Sequence, residues 1–352
     1  MGRLAYLNAG TDGPLPAVAV RAAAEELQSE AEHGRTHQHF DRRKELSNSL
    51  RTAYASILGC PAQDIALTTC TSEGLALVLE GLPLAPGDEI LTSDEEHPGL
   101  LGALSAAAQL RGVEVRRAPW TEIARAVGPR TRLVACSHVS WMTGRHAPVE
   151  LAELDVPVLL DGAQGVGAVA TDVRALGCDA YAGAGQKWLC GPDGTGMLYV
   201  SPRLRSRLAV SRRGYANLAD PGAGLQAVLH EDARRLDTLS LSAEAVACAL
   251  ASFEVLRQAG WSAVHERARL LAARLAERLE ECGRELACVS AREREGATLI
   301  SFSSPDPPVE RERLAARGIV VRDIPGRPWL RASVGAWNDE EDLARLLEAL
   351  ER

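Results

Sequence analysis

"VPVLLDGAQGVGAVATDVRALGCDAYAGAGQKWLCGPDGTGMLYV", residues 156–200, joins three short apolar runs by glycine-rich turns and carries one of the chain's two lysines. The runs VPVLLDGA, CDAYAGAG and TGMLYV read as strands by length and composition. Working outward, the same alternation extends from Asp64 to about Val200. The strand-type runs DIALTT, EILTS and RLVACSHVS are separated by the helical runs EGLALVLEGL, GLLGALSAAAQLRG and EIARAVG. Such alternation predicts an α/β fold: a mostly parallel sheet covered by helices.

Before this region come a short extended piece (LAYLNAG), a helical run (AVAVRAAAEELQSEAE), a polar loop (HGRTHQHFD) and an amphipathic helix from about Arg42 to Leu58. After Ser240 the chain turns helical, as SAEAVACALASFEVLRQAG and WSAVHERARLLAARLAERLEECG. Strands follow at ATLISFSS, IVVRDI and WLRASVG, then a helix from Asp339, with Asn338 as its cap and Glu341 completing a capping box. AREREG (291–296) is expected as a solvated loop. The expected organisation is a large α/β domain over 1–240, its segment 1–20 packing near the active site. A linking helix and a small α+β domain would fill 241–352.

With 352 residues and 46% hydrophobic content the chain can bury a sizeable core. A net charge of -8 and scattered basic residues argue against nucleic-acid and membrane partners. MGRLAYLNAG has no signal-peptide layout and no stretch is long enough to span a bilayer, so a cytoplasmic location is expected. The eight cysteines form no C-x-x-C pair, which speaks against a zinc ribbon or a disulfide framework. His33, His37 and His39 have metal-like spacing but no acidic or cysteine ligand nearby, and are expected in a polar loop with no metal.

In an open parallel sheet, ligands lie beyond the carboxyl ends of the strands. ALTT leads to Thr71 and Ser72 at a helix start, where amides and the helix dipole can hold an anion. VLL leads to Asp161 and Gln164, and AYAGAG leads to Gln186 and Lys187. A phosphate cradle, an acid and a lysine suit pyridoxal 5'-phosphate, which needs a Schiff-base lysine and commonly an acid at its pyridine nitrogen.

YLNAGTDGPLP, TTCTSEG, EEHPG, HVSWMTGRHAPV, Asp161–Val200 and WLRASVGAWNDEEDL together resemble the class V aminotransferase family. These are fold-type I pyridoxal-phosphate enzymes that include cysteine desulfurases, selenocysteine lyases and isopenicillin N epimerase-like proteins. The resemblance implies that Lys187 carries the cofactor, Asp161 meets its ring nitrogen, Gln164 reaches its ring hydroxyl and His97 stacks on the ring and assists proton transfer. Thr71, Ser72 and Gln186 would serve the phosphate, and Arg331, with Asn8 and Trp141 nearby, the substrate. It further implies a homodimer sharing its active sites, with Thr238, and Arg235 beside it, reaching the neighbouring subunit's phosphate.

The sequence departs from the desulfurase pattern at Gln186, where histidine is usual, at Ala184, where serine is usual, and at Trp141, where asparagine is common. The segment RDIPGRPWLRAS lacks the loop cysteine that would carry a persulfide. Unless Cys70 or Cys190 replaces that thiol, the resemblance implies a carbon–sulfur lyase acting on a small α-amino acid. Transamination, epimerisation and a non-catalytic cofactor-binding relative stay open.

Overall fold

The computed structural model describes residues 4–288 and 296–351. The loop expected at 291–296 lies outside them except for Gly296, as do Met1–Arg3 of the segment 1–20. The strands are β1 (Ala5–Tyr6), β2 (Ile65–Thr68), β3 (Glu89–Ser93), β4 (Glu114–Ala118), β5 (Thr131–Ser137), β6 (Val158–Asp161), β7 (Ala180–Ala184), β8 (Gly196–Val200), β9 (Leu299–Ser303), β10 (Ile319–Val320), β11 (Arg322–Asp323) and β12 (Trp329–Ser333). The helices are α1 (Ala17–His33), α2 (His37–Leu58), α3 (Thr71–Gly81), α4 (Pro98–Arg111), α5 (Pro202–Arg205), α6 (Ala243–Ala259), α7 (Trp261–Glu281), α8 (Pro307–Ala316) and α9 (Glu340–Leu350).

Seven strands form the main sheet in the order β2-β8-β7-β6-β5-β3-β4. Only β8 runs against the others. The α/β fold with a mostly parallel sheet expected from the alternation is therefore present. Along each central strand the side chains alternate between two cores, as the period of two requires. Leu67, Leu91, Val134, Leu160, Tyr181 and Met197 face α2 and α6, while Ala66, Ile90, Leu133, Leu159, Ala182 and Leu198 face α3 and α4.

A third core gathers α7, α9, β9 and β12 together with Ala5 and Leu7. The N-terminal segment thus packs with the C-terminal strands. β1 pairs in parallel with β10, and Asn8 bridges to Ser333. α6 contributes Val246 and Phe253 to the first core and α7 contributes Leu271 and Leu275 to the third. Between these helices Gly260 sits at φ 85°, where a side chain would be strained.

Three expectations shift. The run EIARAVG, expected as a helix, forms only the end of a single 3-10 turn at Trp120–Glu122 followed by turn residues. The polar loop before the second helix shrinks to 34–36, because α2 already begins at His37. The cap of α9 is Asp339, whose carboxylate accepts from Asp342 N, and not Asn338. Asn338 is taken by other work: its Oδ1 accepts from Gly335 N at 2.9 Å and its Nδ2 donates to Tyr6 O at 2.9 Å.

The edge strand β2 is closed by a buried ion pair. Arg51 donates to both Asp237 oxygens at 3.0 and 2.7 Å. Asp237 Oδ1 also accepts from Leu67 N at 2.9 Å, and Thr238 N donates to Leu67 O at 2.8 Å. Bare edge groups are thereby met without another strand. Burial raises the Asp237 carboxyl, with Arg51 opposing. Asp237→Ala leaves Arg51 buried and unpaired, and should lower stability in urea denaturation by about 3–5 kcal/mol. A loss of under 1 kcal/mol would show that water already compensates the guanidinium.

Candidate active site

A cavity of ≈ 260 Å³ opens at the carboxyl ends of β2, β3, β6 and β7. It brings together Thr71, Ser72, His97, Trp141, Asp161, Gln164, Gln186, Lys187 and Arg331 of the residues singled out in the sequence. Three others, Asn8, Thr238 and Arg235, lie outside the lining. Asn8 accepts from Thr11 Oγ1 at 2.9 Å, and Thr238 braces β2. The cavity adds Gly10, Thr11 and Arg322, which were not assigned roles there, and Cys70, weighed there as a replacement for the loop thiol.

Asp161 ends β6 and turns into Gly162–Gly165. The turn needs these glycines, because a Cβ on Gly162 would lie 2.0 Å from the Tyr181 ring. Tyr181 Oη and His138 Nδ1, 3.0 Å apart, stand behind that turn. One Asp161 oxygen accepts from Ala163 N at 3.0 Å. Burial raises the Asp161 carboxyl, with Lys187 opposing. Lys187, just past β7, is lowered by burial, with Asp161 the main opposing influence. A depressed lysine keeps more neutral amine, the nucleophilic form.

His97 caps α4 through its side chain: Nδ1 accepts from Gly99 N at 3.0 Å. Its ring meets Trp141 edge to face, with centroids 5.0 Å apart. Burial, then Lys187, Arg331 and Arg322, push its pKa down to about 4. The ring is therefore neutral near pH 7. Behind it, Glu96 is pushed up to about 7 by burial while it accepts from Ser93 Oγ and Ser137. Its neighbour Glu95 accepts from Ser140 Oγ and Thr143 Oγ1, both at 2.6 Å, and so holds the loop that carries Trp141.

Arg331 on β12 donates to Trp141 O at 3.0 Å and to Thr11 Oγ1 at 3.3 Å, leaving its buried Nε without a partner. Burial, then Arg322, push it down to about 9. Arg322 on β11 stands directly opposite Arg331 in the antiparallel register. Opposed residues share a sheet face with Cβ atoms about 5 Å apart, and like charges there repel. Arg322 forms no ion pair or side-chain hydrogen bond among the described residues. An anion between the two guanidiniums removes the conflict.

The donor set fits pyridoxal phosphate. Thr71 Oγ1 is buried, unpartnered and on the cavity wall at the start of α3, where an anion is favoured. Lys187 would attach the cofactor, Asp161 would face its ring nitrogen, and Ser72 and Gln186 would join Thr71 at its phosphate. Of the two thiols that could replace the missing loop cysteine, Cys190 is buried and its pKa is pushed up to about 12 by burial, which makes it inert. Cys70 lies on the wall. Among the described residues no group of three or more His, Cys, Asp or Glu could hold a metal ion, and no helix is long and apolar enough to cross a membrane.

Comparisons with known proteins agree along the whole chain. Residues 5–346 match the family described as aminotransferase class-V. Isopenicillin N epimerase of Streptomyces clavuligerus is 28% identical over 388 residues, covering 98% of this chain and 94% of that protein. A probable cysteine desulfurase of Pseudomonas aeruginosa is 32% identical over 341 residues, covering 86% and 80%. The cystine C–S lyase C-DES, in complex with its reaction product cysteine persulfide, superposes with a TM-score of 0.93 at 28% identity, over 99% of this chain and 98% of that one. A mutant of the same lyase, with glycine covalently linked to its pyridoxal-phosphate cofactor, matches equally at 0.93 and 28%, over 99% and 97%.

The neutral His97 has a consequence for acid stability. Its folded value, about 4, lies below the ordinary 6.5, so between those values the unfolded chain binds more protons. Its contribution therefore disfavours folding increasingly as pH falls through that window. The urea midpoint of the wild-type protein should drop more from pH 7 to pH 5 than that of His97→Asn, whose Oδ1 can still accept from Gly99. Equal drops in both proteins would refute the assignment.

Proposed function

Because the chain belongs to the class V aminotransferase family of pyridoxal-phosphate enzymes, we propose that it is a carbon–sulfur lyase for a small sulfur amino acid with a second carboxylate, of which cystine is the simplest fit. The observation that carries this reading is the pair Arg322 and Arg331, opposed on one sheet face and lining the cavity that holds Lys187. One carboxylate per guanidinium satisfies both, and cystine has two. The similarity to the cystine lyase, over almost the full length of both chains, supports the same substrate class.

Bound in the cavity, pyridoxal phosphate would supply an electron sink for a carbanion at the substrate's Cα. The chain's own residues would do the rest. Arg331 holds the α-carboxylate and Arg322 the distal one, planar two-pronged contacts that lysine serves poorly. Lys187, its amine depressed by burial, takes the Cα proton. The Cβ–S bond then breaks with its electron pair on sulfur, so no enzyme thiol has to accept the sulfur. His97 holds its ring against Trp141, with Nδ1 tied to Gly99.

A homodimer is part of the proposal. Tyr215, Leu225, Val228 and Leu239 are exposed on the segment before α6. Leu225 is fully exposed at 101%. Apolar side chains concentrated there call for a covering surface. A second copy would cover them and bring Thr238 and Arg235 toward the neighbouring cavity.

The cofactor-loaded protein should show a visible absorption band that is lost in Lys187→Ala. Given cystine it should release pyruvate and a sulfane-sulfur product; a new amino acid from an added keto acid, or a D-amino acid, would instead identify a transaminase or an epimerase. Arg322→Met should raise KM for cystine about 10- to 100-fold, the worth of one charged hydrogen-bonded contact, and leave that for S-methylcysteine, which has a Cβ–S bond but a single carboxylate, unchanged. Unchanged KM for cystine would remove Arg322 from substrate binding.

A further inference from the structure

We propose that Trp188 is a positioning residue: its indole N–H fixes the side-chain amide of Gln164 so that the amide's remaining N–H is offered to the cavity. The inference rests on the pyridoxal-phosphate reading and adds to it a residue outside the cavity lining. Trp188 follows Lys187 directly and is 1% exposed, deep in a small core with Ala9 and Leu299.

A glutamine amide has two ends of nearly equal shape, and only its partners tell them apart. Here both partners are unambiguous. Indole nitrogen can only donate, and Trp188 Nε1 lies 2.9 Å from Gln164 Oε1. A carbonyl can only accept, and Gly10 O lies 2.7 Å from Gln164 Nε2. Each contact demands the same orientation. Gln164 is 4% exposed, so bulk water does not compete for either end.

One N–H of Gln164 is left uncommitted, on a residue of the cavity wall. A donor there favours an oxygen in its anionic form and lowers that oxygen's pKa. On pyridoxal phosphate that oxygen is the ring hydroxyl. Without the indole N–H, Oε1 becomes a buried acceptor with no partner, which costs enough to draw the side chain out of place. Gly10 belongs to the segment packed with the C-terminal strands, so the same amide also ties that segment to the cofactor wall.

The test compares the loaded wild-type protein, Trp188→Phe, Gln164→Leu and the double variant by the pH midpoint of the visible absorption change. Trp188→Phe, which keeps an aromatic ring, should move the midpoint up by about one pH unit, the equivalent of one hydrogen bond. In the Gln164→Leu background the same substitution should add nothing. An unmoved midpoint, or an equal shift in both backgrounds, overturns the inference while the wild-type band still upholds the parent reading. No band in the loaded wild type overturns both. Should Trp188→Phe fail to fold, hydrogen exchange of the Trp188 indole N–H decides: slow in wild type and faster in Gln164→Leu supports the inference, and equal rates overturn it.

Discussion

Desolvation of charge governs this molecule. An amine, a carboxyl and a guanidinium, on Lys187, Asp161 and Arg331, surround one small cavity, and burial is the first cause acting on each. A folded chain bears such a cost where the groups have partners or a ligand to meet. Asp161 and Lys187 partly compensate each other, and Arg331 leans on Trp141 O and Thr11 Oγ1. Arg322 has no side-chain hydrogen bond or ion pair among the described residues, although Asp12 lies within its electrostatic reach. The same physics that makes the cavity expensive lowers the Lys187 ammonium and so favours its neutral amine, and the cost and the chemistry have one source.

Much of this was legible in the sequence, and the reason is local. Strand-end geometry depends on short-range periodicity, so β2, β6 and β7 and the polar residues just beyond them could be found by inspection. Asp161, Lys187, Thr71 and Ser72 follow from that rule alone. Gln164 follows from it too, its role at the ring hydroxyl coming from resemblance to a family, as did His97, Trp141 and Arg331; all four lie on the cavity wall.

What escaped notice is non-local or depends on which face a side chain takes. Arg322 sits inside the run IVVRDI, and nothing in that run says that it stands opposite Arg331. The signal would have been the pairing of two strands, which periodicity does not specify. Glu95 looked like the polar shoulder of EEHPG, although its carboxylate holds the loop of Trp141 from forty-odd residues upstream. Asn338 had the composition of a cap, yet contacts from Tyr6 and Gly335 claimed it first. Local propensity gave way each time to a distant partner.

The pairing of β1 with β10 sets an order of events during synthesis. Ala5 and Tyr6 leave the ribosome early, but their hydrogen-bonding partners Ile319 and Val320 are made more than three hundred residues later. Gly10 and Thr11, which follow β1, cannot take up their places on the wall until then. A nascent chain can assemble the large sheet while translation continues, but a product that ends before Ile319 has no β10 for β1 to pair with, and so lacks the anchor of the segment that carries Gly10 and Thr11.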